Sequence, residues 1–228
     1  MPNMHETQPW NSIFETILNP LGNEYQKQEF SSLDNIRELR KTSALIVVDN
    51  QNGFLDKDGW GVQNQLFNPQ EFGVDKVMEN IKNLYFWAGV NDVKRIFLQF
   101  NPSIENSPNA MSGIIMSDFD KDFYDLKPSE EDVVFQKGAN SGFDNPELLR
   151  FIVENNLNHL IISGFFLGAC VSATASDAIK YNLAVTLPVE ANCVHNKNPS
   201  EISQESIKKH YLRTHFGKEK INLLKSTN

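Results

Sequence analysis

The run Ala44-Leu-Ile-Val-Val48, entered from Ser43 and closed by Asp49, limits most sharply what this chain can fold into. It is continuous, apolar and largely β-branched, and a cluster of polar side chains, Asn50-Gln-Asn52, follows the carboxylate. A strand that alternates apolar and polar residues can keep one face in water. One without alternation must be covered on both faces, as a parallel strand between two helix layers is. Partners for it recur along the chain: Arg95-Ile-Phe-Leu-Gln-Phe100, Asp132-Val-Val-Phe135, Leu160-Ile-Ile-Ser163, Leu183 to Leu187, and Ile221 to Leu224 as a closing strand.

Helical stripes lie between these runs. Val74, Val77, Met78, Ile81, Leu84, Tyr85 and Ala88 recur at helical spacing, with Gly89 as a C-cap. Further helices are predicted over Asn145 to Asn155, with Pro146 suited to the first position, over Val171 to Tyr181, and from Pro199 to Leu212. Strands alternating with helices predict an α/β fold of three layers, α/β/α, with a mostly parallel sheet and right-handed crossovers.

A chain of 228 residues, 40% of them apolar, can bury one such domain. Residues 1–42, with short helices predicted at Ser12 to Leu18 and Leu33 to Arg40, read as an N-terminal extension, and 43–228 as the domain. The stretch from Asn101 to Pro128 is long for a connection and reads as a lid or specificity element. The formal charge of −8 is dispersed, and basic residues come singly or in pairs such as Lys94-Arg95 and Lys208-Lys209, so no nucleic-acid partner is expected. Met1 to Trp10 lacks a basic run and an apolar core, and no window approaches the roughly 18 apolar residues of a membrane span. A soluble, cytoplasmic protein is expected.

Ligands of such sheets bind beyond the carboxyl ends of the strands. Asp49 closes the first strand, Lys137 lies just beyond the third, and Cys170 sits where the loop after Ser163 turns into a helix. The cysteines, Cys170 and Cys193, are too far apart for a CxxC motif. A thiol at a helix start lies near the positive end of the helix dipole and near free N–H groups, which favours a thiolate and a developing oxyanion. A free thiol with a pKa near ~8.5 still needs help at neutral pH. Asp49 can take the proton and Lys137 can supply a cation. Alone, each residue reads as a cap, a surface lysine or a core cysteine; together at three strand ends they point to a nucleophile and its partners.

Ala44-Leu-Ile-Val-Val-Asp-Asn-Gln-Asn-Gly-Phe54, Phe135-Gln-Lys-Gly-Ala-Asn-Ser-Gly-Phe143 and Ile162-Ser-Gly-Phe-Phe-Leu-Gly-Ala-Cys-Val-Ser-Ala-Thr-Ala-Ser-Asp-Ala178 resemble the three signature motifs of isochorismatase-like cysteine hydrolases. The resemblance covers about residues 43–215 and favours the amidohydrolase branch. It implies Cys170 as nucleophile, Asp49 as general acid/base, and Lys137 as the cation that stabilises the thiolate and orients the carboxylate. It also implies a cis peptide at Phe165-Phe166, aiming the Phe166 N–H, with that of Cys170, into an oxyanion hole. Phe54, Trp60 and Phe165 are the expected substrate-pocket residues, with Phe67 and the 101–128 loop as further candidate walls.

Departures narrow the reading. No histidine lies between His5 and His159, so no metal and no cofactor is expected, and nicotinamide drops down the substrate list. Many members carry an aspartate where this chain has Gly53, and Phe165, Phe166 and Leu167 replace small polar residues, which implies a more apolar pocket. His195 is left out of the triad. Neither GxGxxG, GxSxG nor a P-loop occurs. Three functions stay open: cleavage of a C–N bond in a small amide, ureido or carbamoyl compound through a thioester, hydrolysis of a vinyl ether, and a non-catalytic or redox-sensing use of Cys170. A small-molecule substrate and a homo-oligomer are expected.

Overall fold

The computed structural model describes residues 38–66, 68–69, 73–104, 113–194, 202–212 and 220–224. Six strands, β1 (Ser43–Val48), β2 (Lys94–Phe100), β3 (Val133–Lys137), β4 (His159–Gly164), β5 (Ala184–Pro188) and β6 (Ile221–Leu224), form one sheet in the order β3-β2-β1-β4-β5-β6. Every pairing is parallel. The three-layer α/β expectation holds. Three longer helices flank the sheet: α1 (Val74–Val90), α2 (Pro146–Glu154) and α3 (Ser172–Lys180).

The unbroken apolar run of β1 explains its central place. Side chains alternate across the sheet. Ala44, Ile46 and Val48 enter the layer that holds Leu148 and Ile152 of α2 and Ala175 and Ala178 of α3. Leu45 and Val47 enter the opposite layer with Val77, Ile81, Leu84 and Trp87 of α1. β3, at the sheet edge, buries only its last residue, Lys137.

The structure revises several boundaries. Lys137 is the final residue of β3 rather than a loop residue beyond it. Gly89 does not cap α1, which continues to Val90 and ends at Asn91, whose side-chain amide donates to the Trp87 carbonyl at 2.8 Å. Gly89 serves packing instead, since a Cβ there would lie 2.8 Å from the Arg95 guanidinium. That guanidinium stands over the Tyr85 ring, and its Nε pairs with Asp132 at 2.7 Å, tying β2 to the entry of β3. The last predicted helix begins only at Gln204, behind Ser203, whose hydroxyl accepts the Ser206 N–H. The predicted 101–128 loop holds a helical turn, Asp118–Lys121, closed by reciprocal bonds between Ser117 and Asp120. The expected helix at Ser12 to Leu18 and residues 105–112 lie outside the described residues. Of the one expected at Leu33 to Arg40, residues 38–41 are described and helical.

The strand order reverses between β1 and β4, which stay paired to Val48 and Gly164, and beyond their carboxyl ends is where such sheets form a crevice. At the opposite end of the same strands, His159 is buried, with Nδ1 2.9 Å from the Ser43 hydroxyl and Nε2 3.0 Å from the Thr186 hydroxyl. It therefore bridges β1, β4 and β5. Burial pushes its pKa down to about 3, from 6.5. The unfolded chain takes up a proton below pH 6.5 that the folded one refuses until about 3, so this contribution is full above pH 6.5 and is lost as pH falls through that window. Denaturant unfolding at stepped pH should show His159→Gln with a flatter stability profile between pH 6.5 and 5 than the wild type. The difference in slope approaches about 1.4 kcal/mol per pH unit. Parallel profiles would contradict this account.

Candidate active site

Asp49 leaves β1 with φ of 51°, a left-handed conformation that aspartate tolerates better than most residues. Its N–H still donates to Leu98 at 3.0 Å, while the Gln51 N–H closes a tight turn on the Asp49 carbonyl at 2.9 Å. The turn is held from both sides by Gln51, whose buried amide accepts the Phe100 N–H at 2.6 Å and donates to the carbonyls of Phe100 and Lys121 at 3.0 and 3.1 Å. Asn50 and Asn52 likewise bond to the backbone of Leu126 and Phe119. The second half of the long loop is thus fastened across the strand ends by the polar residues that follow Asp49. Sequence reasoning missed Gln51, though its place between the apolar strand and the helical turn was a signal for a buried amide.

Lys137 is two strands away from Asp49. At a spacing of about 4.8 Å per strand, only a long side chain crosses the end of β2. It does so beneath the ring of Phe100, with Nζ 5.0 Å from the ring centroid, and donates to Asp49 Oδ2 at 2.9 Å and to the Ala139 carbonyl at 3.1 Å. Both charged residues are buried. Burial raises the Asp49 pKa above the ordinary carboxylate value, with the Lys137 ammonium opposing it. Burial works to lower that of Lys137, but Asp49 and the Cys170 sulfur outweigh it and the lysine is raised. Asp49 Oδ1 has no donor in hydrogen-bond geometry.

Gly164 ends β4 at φ of 127°, with its Cα so close to β1 that a Cβ would sit 2.2 Å from the Val48 carbonyl oxygen. The Phe165–Phe166 peptide is cis, as the family resemblance implied. The chain then winds through a turn over Leu167–Val171, in which the Phe166 carbonyl accepts from Ala169 and Val171 at 2.9 and 3.3 Å, before α3 starts at Ser172. Cys170 lies in that turn, half-buried, with Sγ 3.6 Å from Asn140 Oδ1 and within the electrostatic reach of both Asp49 and Lys137. The Thr174 hydroxyl donates to the Cys170 carbonyl at 2.8 Å and accepts the Gly142 N–H at 3.0 Å, coupling the cysteine turn to the loop after Lys137.

The assembled site opposes the thiolate that a helix-start position would favour. Burial pushes the Cys170 thiol up to about 12, and the Asp49 carboxylate adds to this against the opposing Lys137. Burial and a neighbouring carboxylate thus favour the protonated sulfur, against the local dipole and Lys137.

Asp49 and Cys170 open on a cavity of about 170 Å³. The three expected pocket residues, Phe54, Trp60 and Phe165, all line it. Ile114, from the 101–128 loop expected as a wall, lines it too, and Phe100 and Asn140 were not foreseen, although Asn140 stood within a quoted motif. Phe67 and His195 lie outside the described residues. Gly53 now has a reason: a Cβ would lie 2.5 Å from the Met116 methyl and 2.9 Å from the Asp120 carbonyl oxygen, so a side chain there would displace the loop that covers the cavity. Asp120 also accepts the Trp60 N–H at 2.8 Å, fixing that wall.

The geometry has relatives. Similar curated sequences are the ureidoacrylate amidohydrolase RutB of Serratia proteamaculans, 28% identical over 205 residues and 77% of each chain, and that of Yersinia enterocolitica, 26% identical over 77% of this chain and 84% of the relative. Among solved structures, a cysteine hydrolase from Pseudomonas syringae pv. phaseolicola aligns with a TM-score of 0.62 at 20% identity, over 82% of this chain and 89% of the other. N-carbamoylsarcosine amidase from Thermoplasma acidophilum aligns at 0.59 and 22%, over 82% and 98%. Residues 43–215 match the isochorismatase domain, and the chain belongs to the isochorismatase family of hydrolases.

Proposed function

We propose that the protein is a cysteine-nucleophile hydrolase that cleaves the C–N bond of a small amide, ureido or carbamoyl compound through a thioester. The observation that carries this is a thiol and a carboxylate together at one wall of a largely apolar cavity, with a buried ammonium bonded to that carboxylate. A buried ion pair is a weak source of stability, so its presence beside a thiol favours a chemical role. The relatives named for amide hydrolysis support the same bond class over the vinyl ether alternative.

In this reading the substrate carbonyl carbon approaches Cys170 and the thiol proton passes to Asp49 Oδ1, the oxygen left without a donor. Lys137 holds Oδ2 and balances the charge as sulfur attacks. The N–H groups of Phe166 and Cys170 receive the tetrahedral oxyanion. The C–N bond then breaks and Asp49 returns its proton to the leaving nitrogen. Water adds to the thioester, giving a proton to Asp49; the C–S bond breaks, the acid departs and the thiol is restored. Only protein groups and water take part.

Two variants test the roles. Cys170→Ala should lose at least about a thousandfold in kcat for any amide the wild type turns over, with little change in thermal midpoint, because the volume change is small. Retained ammonia or amine release would remove Cys170 as nucleophile, and pyruvate release from isochorismate would favour the vinyl ether reading. Lys137→Met leaves the Asp49 carboxylate buried and unpaired. It should destabilise the fold by about 3–5 kcal/mol and slow alkylation of Cys170 by iodoacetamide, since the cation that favours the thiolate is gone. Unchanged alkylation would exclude an electrostatic role for Lys137 toward the thiol.

A further inference from the structure

Resting on the hydrolase reading, we infer that the site selects small neutral amides with an apolar, preferably aromatic, acyl group and rejects analogues that carry a carboxylate. Beyond the reacting centre, the described cavity wall is carbon: Phe54, Trp60, Phe100, Ile114, Phe165 and Phe166. Its polar side chains are Asp49, Asn140 and Cys170, all at the end where the bond would be broken. No lysine, arginine or histidine is among the described lining residues.

Lys137 does not fill that gap. Its ammonium is fully buried, bonded to Asp49 and the Ala139 carbonyl, and turned toward the Cys170 sulfur, with the Phe100 ring over it at 5.0 Å. A carboxylate on the acyl group would be stripped of water against aromatic carbon, with the acidic Asp49 side chain at the cavity wall. A neutral ring meets no such cost. The wall rings already pack on one another, Phe54 and Phe100 at 5.9 Å and 46°, Phe165 and Phe166 at 5.8 Å and 83°, and an entering ring can add to such contacts. The volume of about 170 Å³ lies below the roughly 300–1,000 Å³ usual for drug-sized ligands, which limits the acyl group to one ring or a short branched chain. The contrast is with the sequence relatives named for ureidoacrylate, whose substrate is an acid.

The test uses a nearly isosteric pair, 4-nitrobenzamide and 4-carboxybenzamide, one neutral and one anionic at pH 7. Ammonia release by the wild type, each rate normalised to that amide's own hydroxide hydrolysis, should favour the nitro compound by at least about 100-fold in kcat/KM. Parity, or preference for the carboxylate, overturns the inference while leaving the hydrolase reading intact. If the wild type turns over neither, calorimetric binding to Cys170→Ala decides the matter separately, with Cys170→Ser as a second variant should the first fold poorly. Binding of 4-nitrobenzamide at least about tenfold tighter supports the neutral, apolar site. Equal binding of the two, or no binding of the nitro compound, overturns it.

Discussion

The contact on which the rest of the site depends is the buried pair of Lys137 Nζ and Asp49 Oδ2 at 2.9 Å. Taking both charges out of water costs several kcal/mol each, and their attraction offsets that only when the remaining donors and acceptors are served. Lys137 is served by the Ala139 carbonyl and the Phe100 ring. Asp49 is not, since Oδ1 lacks a donor. A buried acceptor left open costs stability, and the Cys170 thiol interacts with the same carboxylate. In the proposed mechanism that open oxygen is the one that takes the thiol proton.

Holding that pair in place needs the ends of three neighbouring strands to keep their spacing. Gln51 supplies this for β1 and β2, because its amide bonds both the N–H and the carbonyl of Phe100. The same amide reaches Lys121, so the covering segment and the strand ends form one bonded unit. On the other side of β1, the close approach at Gly164 brings the cysteine turn against the strand that carries Asp49. The positive φ of Asp49 and the absent side chain of Gly164 act together. One turns the carboxylate into the crevice, and the other lets β4 deliver the thiol to it.

The fold was legible because β1 has no polar position between Ala44 and Val48, which leaves only a sheet covered on both faces. The three residues proposed as the triad stood out for a related reason: each interrupts or follows an apolar run at a strand's carboxyl end. What escaped is set by contacts between distant segments. Gly89 reads as a helix stop by local rules, yet it is a helical residue that makes room for Arg95. Gln51 has the same local character as Asn50 and Asn52, and its role exists only once Phe100 and Lys121 are beside it. The turn at Asp118–Lys121 is too short to leave a periodic signal and is announced only by its Ser117 and Asp120 caps. The influences that raise the Cys170 thiol were not legible, because the helix-start position is local, whereas burial and the Asp49 carboxylate belong to the assembled site.

The setting of the thiol bears on the choice between a hydrolase and a redox sensor. Sensor cysteines are exposed and largely ionised at neutral pH, because the thiolate is the form that peroxides attack. Cys170 lies at the wall of a cavity lined by aromatic carbon, and its thiol is pushed up to about 12. A thiol raised in this way reacts more slowly with oxidants than an exposed thiolate does. It becomes a nucleophile only when its proton has somewhere to go within the cluster and the cavity holds an electrophile next to sulfur. Asp49 supplies the first condition through its unbonded oxygen, and the shape of the cavity supplies the second. In the proposed mechanism the burial that raises the resting thiol makes its reactivity conditional on a bound substrate, which fits the hydrolase reading better than the sensor one.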